Sequence, residues 1–210
     1  MTRTAPVTGV YLDTNVLRYF WEAASDPRPP CARGATNQAH CMQVAALRVV
    51  LYAPARGWEL WVSAAGRQEL QAHDRPRGVD DWPPMLFHDI DLVGGAVPVE
   101  EVEARAERYR AALGRGGTQR VDLQHLAWAA LTDWVSVLIT NDRGLSKGAD
   151  RLRKQPEFLE LTTLQVVDPI KAETALAIRP GDPPAWQPHP SHPHAATWPW
   201  WIPGAASSTG

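Results

Sequence analysis

Four carboxylates in this chain could together hold a divalent cation: Asp13, Glu69, Asp122 and Asp142. Two of them close similar stretches. VYLDTN, residues 10–15, is a short apolar run that ends in Asp13, Thr14 and Asn15; VSVLITND, residues 135–142, ends in Thr140, Asn141 and Asp142. A single acid behind a strand is ordinary turn chemistry, but here the pattern recurs. Glu69 lies six residues beyond Ser63, in the middle of an expected helix. Asp122 falls in the first turn of another, where the helix dipole alone would favour it. Hard cations such as Mg²⁺ and Mn²⁺ bind through one or two carboxylates each, keep several waters and accept phosphate oxygens. They can activate a water and stabilise both the attacking and the leaving oxygen of an in-line displacement. Without a cation, two carboxylates about 4 Å apart repel by roughly 4 kcal/mol at an effective dielectric of 20. Four acids gathered at one point therefore make sense chiefly around a bound ion.

The elements that must position these acids can be read from periodicity. Residues 9–13 read as a buried strand and 14–23 as a short helix carrying Val16, Leu17, Phe20 and Trp21. The Pro-rich stretch 25–37 reads as a loop or insertion. A helix is expected over 38–54, then a strand over WELWVS, 58–63, with Ser63 as N-cap of a helix running to His73. The stretch 74–98 reads as mostly irregular and 99–115 as a charged helix. Residues 121–133 form the clearest helix, with Leu123, Leu126, Ala127, Ala130 and Leu131 on one stripe. Val135–Thr140 is a strand, 143–154 a basic loop or short helix, and 158–167 a last strand. Alternating strands and helices imply an α/β domain with a mainly parallel sheet. In such sheets ligands gather at the carboxyl ends of the strands, which is where Asp13 and Asp142 stand.

Composition sets the outer bounds. The chain has 210 residues, 44% apolar and 21% charged, with a formal charge of −2. It has the composition of a globular protein with room for one domain and an extension. A near-neutral balance argues against coating nucleic acid by charge alone. No apolar run approaches the roughly 18 residues needed to span a bilayer. The N-terminus reaches Asp13 before a signal-peptide core could form, so the expectation is a cytoplasmic protein. Cys31 and Cys41 lack the spacing of a zinc or redox site. They read as two unpaired thiols, with a disulfide across the loop as the alternative. The division expected is a domain over 1–168, with 25–37 inserted, and a tail over 169–210. The tail is rich in Pro, Trp and His, so regular structure is not expected along it.

The chain resembles the PIN-domain nucleases and, within them, the VapC-like toxins of toxin–antitoxin pairs. The resemblance rests on VYLDTNVL at 10–17, VSAAGRQEL at 62–70, VDLQHLAWAAL at 121–131 and VLITNDRGL at 137–145, and covers roughly residues 9–167. It implies a three-layer α/β/α sandwich around a mainly parallel sheet. It also implies a Mg²⁺- or Mn²⁺-dependent endoribonuclease, with an antitoxin and a second copy of the chain as its expected protein partners. Position by position, the family's acidic quartet falls on Asp13, Glu69, Asp122 and Asp142, and Thr14, Asn15, Thr140 and Asn141 match its polar flanks. The loop at 25–37 and the tail make this chain longer than the compact toxins. Glu69 is the member that variable helix and loop lengths fix least.

The neighbours of the acids suit a polyanion. RGLSKGADRLRK, residues 143–154, follows Asp142 directly; Arg143, Lys147 and Arg151, with Arg18 on the first helix, could contact RNA phosphates, or simply face solvent. His125 shares a helix face with Asp122 and reads either as a group supporting the site or as a packing residue. His189, His192 and His194 could bind a transition metal only adventitiously. A dehalogenase-type phosphatase would need a second Asp two residues after Asp13, where Asn15 stands. A receiver domain would need an acidic pair near 10–16, which is absent. The alternatives that survive are a non-catalytic PIN-like module binding RNA or protein, and a PIN-type nuclease acting on DNA.

Overall fold

A computed structural model describes residues 8–24, 38–63, 66, 90–93, 97–114 and 120–179. Five strands are described: β1 (Thr8–Leu12), β2 (Trp58–Ser63), β3 (Ile90–Val93), β4 (Val135–Ile139) and β5 (Gln165–Val167). They form one sheet in the order β3-β2-β1-β4-β5, and every neighbouring pair is parallel. The helices described are α1 (Thr14–Ala24), α2 (Gln38–Tyr52), α3 (Val99–Leu113), α4 (Arg120–Leu131), α5 (Arg143–Leu152) and α6 (Pro169–Ala175).

Strand pleating sends alternate side chains to opposite faces of this sheet, and each face is covered by helices. Val10, Leu12, Leu60, Val62, Val137 and Ile139 pack with α1, α2 and Ala172, Leu176 and Ile178 at the C-terminal helix. Tyr11 and Leu138 point the other way, into a second core with α3, α4, α5, Phe158, Leu161 and Leu164. The result is a three-layer α/β/α arrangement. Central strands buried on both faces read as continuous apolar runs, as YL in β1 and VLI in β4 do.

The chain winds outward from β1 to β2 and β3, then crosses to place β4 and β5 on the other side of β1. The point where the order reverses lies between β1 and β4, and in open parallel sheets the crevice outside those strand ends is the expected ligand position.

Several elements depart from the sequence reading. β3 lies inside the stretch expected to be irregular. IDLV is too short to carry a pattern of its own, and its pairing with β2, from Leu60↔Ile90 to Ser63↔Val93, defines it. The last strand is also shorter than 158–167. Phe158, Leu161 and Leu164 recur every third residue and all point into the second core, so the segment opens with a 3-10 turn at Leu159–Leu161 and only Gln165–Val167 is strand. Beyond 168 the chain continues in the domain: Ala172 and Leu176 are fully buried, and the Trp58 indole donates to the Leu176 carbonyl at 3.2 Å. Residues 180–210, with their three histidines, lie outside the described residues. Cys41, at the start of α2, is disulfide-bonded and so not the free thiol expected. A bond between Cys31 and Cys41 would close a loop short enough to cost little closure entropy, and Cys31 itself lies outside the described residues. Among the described residues no helix is long and apolar enough to cross a membrane.

Candidate functional site

The site is built on backbone hydrogen bonds before any side chain takes part. Leu12 pairs with Ile139, and the Asp13 amide extends that ladder by donating to the Ile139 carbonyl at 3.1 Å. The Asp13 carbonyl in turn accepts from Val16 at 2.9 Å, the first bond of α1. Asp13 is therefore strand on one side and helix cap on the other. On the neighbouring strand, the Thr140 amide donates to Val167 of β5 at 2.9 Å. Both residues are pinned to the carboxyl edge of the sheet at the β1/β4 reversal.

Side chains then join the two strand ends. The Thr140 hydroxyl donates to Asp13 Oδ2 at 2.6 Å and accepts from the Asp142 amide at 3.0 Å. A hydroxyl has one hydrogen to give and lone pairs to receive, so this pair of contacts uses Thr140 in both senses. Asp13 is 2% exposed and Thr140 1%. Asp142 is the N-cap of α5: its Oδ1 accepts from the amides of Gly144 at 2.5 Å and Leu145 at 3.2 Å, as an Asp at a helix start does.

α4 brings a histidine to the same place. His125 is 2% exposed; its Nδ1 lies 2.8 Å from the Tyr11 hydroxyl, while its Nε2 faces Thr14 Oγ1 at 3.5 Å and Asp13 Oδ1 at 4.0 Å. The third strand end closes the group. Gly66 donates its amide to Ser63 Oγ at 3.0 Å, confirming Ser63 as a helix N-cap. A Cβ on Gly66 would come within 3.3 Å of both His125 Cε1 and Thr14 Oγ1, so a side chain here would push those two groups aside by a few tenths of an ångström. The rest of the helix expected to reach His73 lies outside the described residues, and Glu69 with it.

Of the acids singled out in the sequence, Asp13 and Asp142 meet through Thr140. Asp122 is half-buried in the first turn of α4, three residues before His125 and so on the same face. Asn15 and Asn141 are half-buried beside Asp13 and Asp142. The basic residues divide. Arg143 and Lys147 are exposed one turn apart on α5, with Arg143 also donating to Gln38 at 3.2 Å. Arg18 is exposed and paired with Glu22 at 3.7 Å. Arg151 donates to the Leu113 carbonyl at 3.3 Å, and Arg153 holds the carbonyls of Leu161 and Leu164 at 2.9 Å each. Those two arginines brace the fold around α5.

Donor chemistry tests the fit to a hard divalent cation. Asp13 Oδ1 accepts no hydrogen bond among the described residues, and Asp142 keeps one oxygen free of its cap contacts. Both open atoms are carboxylate oxygens, the type Mg²⁺ and Mn²⁺ take. Among the described residues, however, no three His, Cys, Asp or Glu side chains are grouped as a ligand set.

Tyr11 and Gly66 were not signalled by sequence reasoning. Tyr11 sits in an aliphatic strand and reads as bulk; its hydroxyl was the available hint, because a buried phenol needs a partner. Comparison with protein-family models, with curated proteins and with solved structures returns no match.

Proposed function

We propose that this chain is a metal-dependent endoribonuclease of the PIN type, hydrolysing RNA phosphodiester bonds. The observation that carries the reading is the union of Asp13 and Asp142 through the Thr140 hydroxyl at the carboxyl ends of β1 and β4. Asp13, Asp122 and Asp142, with Glu69, would hold Mg²⁺ or Mn²⁺. Bound there, the ion would supply charge neutralisation and an activated water. The chain's own part is positional. Thr140 orients the Asp13 carboxylate, the amides of Gly144 and Leu145 orient that of Asp142, and Arg143 and Lys147 on the outer face of α5 offer positive charge to a phosphate chain. RNA as substrate, an antitoxin partner, self-association and a cytoplasmic setting belong to the proposal through the family resemblance.

The test is cleavage of a mixed tRNA and rRNA pool with and without Mn²⁺, with end mapping, for the parent chain, Asp13→Asn and Asp142→Asn. Loss of cleavage in both variants at a temperature where each is folded supports the proposal; parent-level cleavage in both removes these acids from the chemistry. A single-stranded DNA arm separates the DNA nuclease from the RNA one.

The alternative reading is a non-catalytic module that binds RNA or protein. Melting with Mn²⁺ separates the two. A cation binding only the folded chain at one hundred times its Kd stabilises by about 2.7 kcal/mol, whereas a pure scaffold shows no such shift.

A further inference from the structure

We propose that His125 is a positioning residue for Asp13, itself held in orientation by the Tyr11 hydroxyl; the proposal rests on the reading of Asp13 as a working carboxylate of the nuclease. Tyr11 is fully buried and turns to the α3–α5 side of the sheet, while Val10 and Leu12 turn to the other. Its hydroxyl reaches across the second core to His125 Nδ1 at 2.8 Å. The opposite nitrogen, Nε2, faces Thr14 Oγ1 and the carboxylate oxygen Oδ1 of Asp13.

The positioning role requires one tautomer: hydrogen on Nε2, so that the ring presents an N–H toward the Asp13 carboxylate, which only accepts. Nδ1 is then the acceptor and the Tyr11 hydroxyl the donor. A Cβ at position 66 would come within 3.3 Å of Cε1, so the glycine leaves the ring its room. The imidazole is held by Tyr11 of β1 and Thr14 of α1, and turning it would break these contacts.

The consequence falls on Asp13. Thr140 holds Oδ2 by a hydrogen bond, and the His125 N–H dipole faces Oδ1 from 4.0 Å, too far to bond. One oxygen is fixed, while the other is oriented but keeps its lone pairs open. A closer histidine would occupy the atom that must do the work. His125 therefore acts through Asp13 and touches no reacting atom.

Tyr11→Phe removes only the hydroxyl, His125→Leu removes both nitrogens, and His125→Gln restores a donor near Nε2. In Mn²⁺-dependent RNA cleavage, Tyr11→Phe and His125→Leu are expected to lower kcat about tenfold or more, with KM unchanged. The double variant falls no further than the worse single one, and His125→Gln recovers most of the loss. A merely structural histidine would lower the melting temperature and leave kcat of the folded protein intact. Unchanged kcat in both single variants, while Asp13→Asn is inactive, overturns the positioning role and leaves the nuclease reading standing. Parent-level cleavage by Asp13→Asn overturns the nuclease reading itself. Two measurements on the metal-free chain need no activity. Ring-nitrogen NMR must find hydrogen on Nε2 of His125, and hydrogen on Nδ1 alone overturns the proposal. Melting of Asp13→Asn, His125→Leu and their combination must fall short of additivity by about 2 °C or more; additive losses overturn it as well.

Discussion

Replacing Thr140 with valine tests the joint on which the site depends. Valine has nearly the volume of threonine, so it removes the hydroxyl without opening a cavity, at a position 1% exposed. Two contacts go: the donation to Asp13 Oδ2 at 2.6 Å and the acceptance from the Asp142 amide at 3.0 Å. A hydrogen bond to a charged group contributes about 1.5–3 kcal/mol, and a buried amide left without an acceptor costs about 1–3 kcal/mol. Asp142 is half-buried, so water can replace part of the second loss, and about 2–4 kcal/mol is the expected total. In a domain of this size each kcal/mol moves the melting temperature by roughly 2–4 °C. Thr140→Val should therefore melt about 5–12 °C below the parent. Thr140→Ser keeps both contacts and loses one methyl, worth about 1 kcal/mol. The assay is thermal melting of the three proteins by circular dichroism, followed by RNA cleavage at a temperature where all are folded. Equal melting of the serine and valine variants would refute the reasoning, because the hydroxyl would then carry no energy beyond its methyl neighbour. The valine variant should also cleave more slowly than the serine variant, since only serine still orients Asp13.

Other expectations follow from buried groups away from the site. The Tyr109 hydroxyl donates to Glu160 at 2.9 Å, and burial together with the Glu160 charge pushes the phenol well above its ordinary range. Its folded pKa is raised, so the neutral form stabilises the fold below the unfolded value near 10 and that stability is lost as pH rises beyond it. In an alkaline spectrophotometric titration Tyr109 should ionise only as the chain unfolds. Tyr109→Phe should remove that component at a cost of about 1–1.5 kcal/mol in melting at pH 7. Glu173, beside Arg48 at 3.2 Å, is raised by burial, an effect that the arginine offsets only in part. Stability from its neutral form is complete below the ordinary glutamate value and declines as pH rises through the raised one. Mild acidification from pH 7 should therefore raise the melting temperature of the parent more than that of Glu173→Gln; equal slopes would contradict the assignment.

How much was legible in advance differs by element. β1, β2 and β4 are apolar runs with clear ends, and their fate is fixed by burial on two faces. WELWVS emerged with the bounds read from its pattern, and Ser63 capped the following segment as expected. β3 and β5 depend on neighbours contributed from far along the chain, which local spacing does not reveal. The same holds for the site. Asp13 and Asp142 announce themselves because each interrupts an apolar run, whereas Tyr11 enters through a hydroxyl hidden inside such a run. The basic segment was legible as charge but not as geometry: Arg153 is spent on the carbonyls of Leu161 and Leu164, and only contact across the fold distinguishes it from Arg143. Glu69 lies outside the described residues, so its expected place in the quartet stands as part of the proposal.

The placement of β1 at the centre of the sheet has a further effect, on how the molecule comes into being. Of the five described strands, the earliest in the chain is the one that the others flank, and its partner on one side, β4, emerges more than a hundred residues later, at Leu12↔Ile139. Until then the nascent chain can build only β1, β2 and β3, leaving the inner edge of β1 unpaired and the apolar side of α2 without Ala172 and Leu176. Pairings this distant close slowly, and an open apolar edge invites pairing with other chains. Assembly of the acidic site and completion of the sheet are consequently one late event on the ribosome or after it, so a chain interrupted before β4 carries Asp13 without the Thr140 hydroxyl that holds it or the Asp142 it meets.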